Sequence, residues 1–269
     1  MAARHAQSRA RKRLSRRSKA VSGLAVSTLV GTALWAWPAS GDEHSSRPDA
    51  KSGSLRTVAG PNPPAGRHAA AAGGLRAIPE LSDAARKRIP AGTRQILIVT
   101  GKNPESYDSR VVLYTRQEGA DIWEPGPTWA AHNAAHGWTD DHRYGDLRSP
   151  QGVYTLTDAG GRLPAPAGTK LPYDHNENFV AHGTGVEGEP LAGAFDYVIA
   201  INYNRVPGSS PLDGRRPLGD ARGGGVWLHV DHDGPTQGCI SLRPEVMRQL
   251  LRTLDPALHP VIVMGPAGR

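Results

Sequence analysis

The 269-residue sequence contains a single cysteine, so no internal disulfide can brace it and the fold must rest on its core alone. Aromatic residues make up 6% and hydrophobic residues 38%, low for a chain with one dense core from end to end. Acidic residues are missing from positions 1–20, which hold eight basic ones (Arg4, Arg9, Arg11, Lys12, Arg13, Arg16, Arg17 and Lys19). Those charges exceed the formal net charge of +7 of the whole chain. The remainder therefore has no net basic charge with which to grip phosphates, and no nucleic-acid partner is expected.

What is present falls into three parts. At 1–41 a basic region is followed by eighteen mostly apolar or small residues at 20–37 and then by Pro38-Ala39-Ser40-Gly41. That is the order of a secretory signal peptide. Eighteen such residues also barely span a bilayer, so an N-terminal membrane anchor through 20–37 is the alternative. Either reading places the rest of the chain outside the cytoplasm. Residues 42–92, rich in Ala, Gly, Pro, Ser and Arg, read as a flexible spacer with a short helix near 78–88 that Pro90 ends.

From 93 to 266 the pattern changes to short β-rich runs bounded by Gly, Pro, Asn or Asp. They lie at 95–100, 110–115, 152–157, 178–181, 197–203, 226–230, 238–242 and 261–264. Only 244–254 has helical periodicity. Pro244 suits its first position, and Val246, Met247, Leu250, Leu251 and Leu254 form one apolar face. The expected fold is mainly β, a sandwich or barrel with one or two short helices.

The stretch 223–243, GGGVWLHVDHDGPTQGCISLR, carries the chemistry. An apolar strand delivers His229, a polar turn follows, and a second strand begins at Gln237-Gly238-Cys239. A lone cysteine is more often a small buried hydrophobe than a nucleophile. Here the polar, turn-like Thr236-Gln237-Gly238 suits an exposed thiol at the start of a strand. A free thiol ionises near pH 8.5, and a neighbouring imidazole makes the thiolate accessible. Backbone amides around Gly238 and Cys239 are candidates to bind a developing oxyanion.

This stretch resembles the signature of L,D-transpeptidase catalytic domains, in which an apolar strand ends in His and a Ser/Thr-His-Gly-Cys segment follows. The matching residues are His229, Thr236, Gly238 and Cys239. Arg148-Ser149-Pro150-Gln151-Gly152-Val153-Tyr154 is similar to the upstream Thr-Pro-x-Gly-x-Phe/Tyr segment of that family. The branch that it most resembles is one of exported proteins from high-GC Gram-positive bacteria. Three positions depart from the pattern. Gln237 replaces the usual His, Ser241 replaces the usual Asn or Arg, and the ten-residue step from His229 to Cys239 is short.

The resemblance implies a cell-wall enzyme of the acyltransferase class that acts on peptidoglycan stem peptides. It forms 3-3 cross-links through a thioester on Cys239, with His229 as base and with no metal or organic cofactor. An L,D-carboxypeptidase using the same site, or a wall-binding module that keeps the fold without the chemistry, are the alternatives. Stem peptides are the expected partners and a monomer the expected state. Gln237, Gly238, Thr236 and His182 are the candidate oxyanion or substrate contacts.

His182, in His182-Gly183-Thr184-Gly185, is also a rival for the base, because it too ends an apolar run. His229, His232, Asp231 and Asp233 admit a zinc reading with Cys239, but alternation along a strand separates the two imidazoles, so no metal is expected. Asp231 or Asp233 is instead a candidate to orient an imidazole. Trp123, Trp129, Trp138 and Tyr144, interspersed with His132, His136 and His142, fit either a ligand wall or ordinary core packing. The loop 160–168 is expected to border the cleft.

Overall fold

The structure, a computed structural model, describes residues 74–268. The expected leader at 1–41 and most of the expected spacer lie outside the described residues. Among those described, no helix is long and apolar enough to cross a membrane.

Eight strands close into a barrel. In chain order the elements are α1 (Asp83–Arg88), β1 (Gln95–Gly101), β2 (Asp108–Thr115), β3 (Glu124–His132), β4 (Trp138–Thr139), β5 (Ser149–Pro150), β6 (Gly152–Gly161), β7 (Tyr173–His175), β8 (Val198–Ile201), β9 (Trp227–Val230), β10 (Ile240–Leu242), α2 (Pro244–Thr253) and β11 (Val261–Pro266). The order β11-β1-β2-β3-β10-β9-β8-β6 returns on itself because β6 also pairs antiparallel with β11. Short β7 flanks β6. Closure leaves little open sheet edge to pair with another chain, chiefly along the first half of β3.

The apolar pattern of each strand explains its place. In β1 every residue but one is buried, because both faces are covered. Leu97 and Val99 join the main core, while Ile96 and Ile98 join a second cluster with Ile78, Leu81 and Trp123. Ser82 caps α1 by accepting from the Ala85 amide, and Leu75 pairs with Trp123 across an isolated bridge. The stretch 74–92, expected as spacer, is therefore packed on the barrel. Its few apolar residues are spaced to cover one sheet face. In α2, Val246, Met247, Leu250 and Leu251 enter the main core, with Pro244 at the helix start and Arg252 in the last turn.

Two differences from the sequence reading have clear causes. β3 is not among the β-rich runs of the sequence, because Pro125, Gly126 and Pro127 interrupt its strand pattern. Its pairing to β10 is confined to His132 opposite Ser241, so its first half has a free side where proline removes no ladder bond. The expected strand at 178–181 is absent. Phe179 alone is an anchor there, packed edgewise on Trp227, while Val180 faces outward.

The long connection between β8 and β9 is pinned by a buried ion pair. Arg205 donates to Asp158 at 2.8 Å, with side chains only 3% and 6% exposed. Arg205 also donates to the Ser209 carbonyl, and the Gly208 amide donates to Asp158. Asn204, in the left-handed region at φ 43°, donates to the Gly219 and Gly223 carbonyls and so shapes the turn that leads to β9. Removing one partner leaves a bare buried charge, which costs about 3–5 kcal/mol. Arg205→Ala should lower the unfolding free energy by that amount in urea titration. A loss under about 1 kcal/mol would show that the pair does not hold the connection.

Candidate functional site

The site grows from one local arrangement. β9 and β10 lie side by side and parallel, with Leu228 opposite Ile240, His229 opposite Ser241 and Val230 opposite Leu242. Alternation sends Leu228, Val230, Ile240 and Leu242 into the barrel core. Trp227, His229 and Ser241 take the opposite face, and Cys239, one residue before β10, continues it. A hairpin would set the end of β9 directly against the start of β10. The parallel pairing instead sets Cys239 level with Trp227, one side-chain step before His229. The intervening segment runs back beside 133–135, where the Thr236 amide donates to the Asn133 carbonyl and the Ala135 amide to the Thr236 carbonyl.

Above this face lies a cleft of about 420 Å³. Cys239, His229 and His232 line it from the barrel side, His182 and Phe195 from the covering segment, and Tyr144 from the rim. Gly223, Gly224 and Gly225 form part of one wall, and among the described residues no Asp, Glu, Lys or Arg side chain lines the cleft.

The Cys239 side chain is partly reachable. Its sulfur accepts from the Trp227 amide at 3.4 Å and donates to the Gly225 carbonyl at 3.5 Å. Dense packing around the sulfur pushes the thiol up to about 11, a shift that the Trp227 amide opposes. The resting thiol is therefore neutral and held by backbone groups rather than by an imidazole.

His229 is buried, 3% exposed. Its Nδ1 lies 2.9 Å from the Val230 carbonyl. A carbonyl can only accept, so Nδ1 carries the hydrogen and Nε2 is left with a lone pair. Burial pushes the ring down to about 4, so it is neutral at physiological pH. Phe195 meets the ring edgewise at 5.4 Å, and His232 stacks on it at 5.6 Å with planes 11° apart.

The other expected contacts divide. His182 is exposed on the covering segment and belongs to the cleft, as does exposed Gln237. The Thr236 hydroxyl donates to the Cys239 carbonyl at 2.6 Å and accepts from the Gly238 amide at 3.3 Å, so both residues serve the turn. Ser149 adds a donated bond to the Gly238 carbonyl. The Gly238 amide, expected to face an oxyanion, thus has an internal partner. Asp231 does orient an imidazole, but that of His132, with Ser241 donating to the same carboxylate oxygen. That contact raises the His132 pKa.

Trp123, Trp129 and Trp138 are core residues, whereas Tyr144 is 83% exposed. His142 is buried behind Gly238, and burial pushes its pKa down. The 160–168 loop is not part of the cleft lining. Among the described residues no group of three His, Cys, Asp or Glu converges as metal ligands would. Phe195 had no visible signal. It stands in a Gly/Ala-rich stretch far from β9, and only tertiary packing brings it to Trp227 and His229.

A family model described as the L,D-transpeptidase catalytic domain, YkuD, matches residues 90–263. No curated protein and no solved structure matches the chain. The match runs from just after α1 into the first half of β11 and contains the other seven strands of the barrel and every residue of the cleft, so the chain belongs to the YkuD family of L,D-transpeptidase catalytic domains.

Proposed function

We propose that the chain is an exported cysteine acyltransferase that joins peptidoglycan stem peptides, with Cys239 as nucleophile and His229 as general base. One observation carries the reading. The only cysteine in the sequence opens into a cleft that it shares with a histidine whose Nε2 lone pair is set by its own backbone.

The thiol attacks the carbonyl between the third and fourth residues of the donor stem. His229 takes its proton through Nε2 and passes it to the departing amine of the terminal D-residue, leaving a thioester on Cys239. An amine of a second stem then displaces the sulfur and completes the 3-3 cross-link. Burial raises the thiol and lowers the imidazole, and both shifts disfavour a preformed thiolate–imidazolium pair. Proton transfer therefore accompanies attack rather than preceding it. A charge-free cleft suits a peptide whose reacting amide must shed its water. The leader fits export, and a cell-wall location follows from the substrate.

A second reading, a wall-binding module without chemistry, draws on the resting thiol's bond to the Gly225 carbonyl and its raised pKa. Cys239→Ala should abolish the mass adduct formed with a stem tetrapeptide or a carbapenem, and an adduct that survives refutes the nucleophile. His229→Ala should lower kcat/KM about 10²–10⁴-fold. His182→Ala should cost less than about tenfold, and the reverse order would make His182 the base.

The two ionisations separate in pH. Below its pKa the His229 ring is protonated and cannot accept a proton, so the acid limb of kcat/KM should lie near pH 4. An acid limb near 6.5 would mean that the ring is not buried in the working enzyme. Iodoacetamide, which needs the thiolate, should react slowly at pH 7. Its rate should rise about tenfold per pH unit until it levels off near 11.

A further inference from the structure

Beside the base stands a second acid–base pair for which the mechanism above has no use. His232 lines the cleft and stacks on His229. Its Nδ1 lies 3.1 Å from Glu189 Oε1, an ion-pair distance without hydrogen-bond alignment, with the two side chains only 5% and 12% exposed, and among the described residues neither atom has a hydrogen-bond partner. The carboxylate sits in a niche made for it. A Cβ at Gly185 or at Gly234 would overlap it, and the Glu187 amide donates to Oε2 at 2.8 Å. Two glycines from separate segments thus leave room for one buried acid, and that acid faces one imidazole. The other titratable groups around the ring are His229, held through Val230, Asp231, engaged with His132 and Ser241, and exposed Asp233.

Resting on the acyl-transfer reading, the geometry points to the His232–Glu189 dyad as the acceptor-side base, the group that deprotonates the incoming amine. The need for one follows from the proton balance. A primary alkyl amine has a pKa of about 10.4 and arrives as an ammonium ion. The reaction R–NH₃⁺ + Cys239–S–C(=O)R′ → R′–C(=O)–NH–R + Cys239–SH + H⁺ forms a C–N bond, breaks a C–S bond and leaves one surplus proton.

His229 handles a single proton, relaying it from the attacking nitrogen to the departing sulfur. The surplus proton must leave the ammonium before attack. With Nδ1 turned to Glu189, Nε2 is the ring nitrogen free to take it, and the buried carboxylate offsets the charge that the ring then acquires. From the cleft the proton passes to solvent. Attack by water needs no such step, since water arrives neutral and its proton follows the His229 route. The dyad therefore favours aminolysis over hydrolysis of the thioester.

The test uses the full chain, a synthetic stem tetrapeptide as donor and Nα-acetyllysine as acceptor, with amide and hydrolysis products counted by mass spectrometry. His232→Gln and, independently, the near-isosteric Glu189→Gln should each lower the amide-to-hydrolysis ratio at pH 7 by at least about tenfold. The deficit should shrink to within about threefold as the pH approaches 10, where solvent supplies the free amine.

An unchanged ratio, a deficit of equal size at every pH, or a wild-type protein that only hydrolyses the donor would each overturn the assignment. Should His232→Gln fail to fold, Glu189→Gln decides alone, because it removes the charge and keeps the shape. A mass adduct that persists in Cys239→Ala would instead refute the nucleophile, so the two failures are distinguishable.

Discussion

Parallel pairing of β9 with β10 is the constraint on which the site depends. Because the two strands run the same way and differ by no shift in pleat, one set of alternate residues enters the core and the other set lines the cleft. Burial of Leu228, Val230, Ile240 and Leu242 at about 1.5–3 kcal/mol each stabilises the pair. The same burial fixes which way His229 and Cys239 face. A slip of one residue in either strand would turn a reactive side chain into the core and an aliphatic one into the cleft. The energy that places the chemistry is thus apolar, although the chemistry is polar.

Around that pair, polar contacts do the finer positioning. Thr236 and Ser149 hold the carbonyls at Gly238 and Cys239, which fixes the approach of the chain to β10. Asp231 ties together His132 on β3, Ser241 on β10 and the end of β9, at the seam where β3 and β10 pair at a single position. The Asp158–Arg205 pair and Asn204 hold the connection that ends in Gly223, Gly224 and Gly225. The first and last of these clusters also bond backbone groups outside the barrel ladder, whereas Asp231 joins two side chains, so the buried polar groups there find partners.

The cleft keeps both of its central groups uncharged at rest. Burial acts in opposite directions on acid and base, raising the thiol and lowering the imidazole, so one low-polarity environment produces both shifts. Charge appears only when a substrate carbonyl arrives to receive the electron pair. The buried acid of the region, Glu189, stands one imidazole away from His229, in contact with His232 rather than with the base.

Legible in the chain alone were the strand-rich class, the amphipathic helix after Cys239, and an apolar strand followed by a thiol a short loop away. Those properties are local, set by alternation, by Pro244 and by the apolar periodicity of 244–254. The sequence also singled out Cys239 and His229 from neighbouring positions. Barrel closure, by contrast, sets β9 and β10 parallel, lets β3 keep its prolines on a half-free side, and packs 74–92 on the barrel. It likewise brought Phe195 and Glu189 to the imidazoles. None of these has a local signature. Each is settled by which apolar faces meet when the barrel closes, and that depends on contacts between residues far apart in the chain.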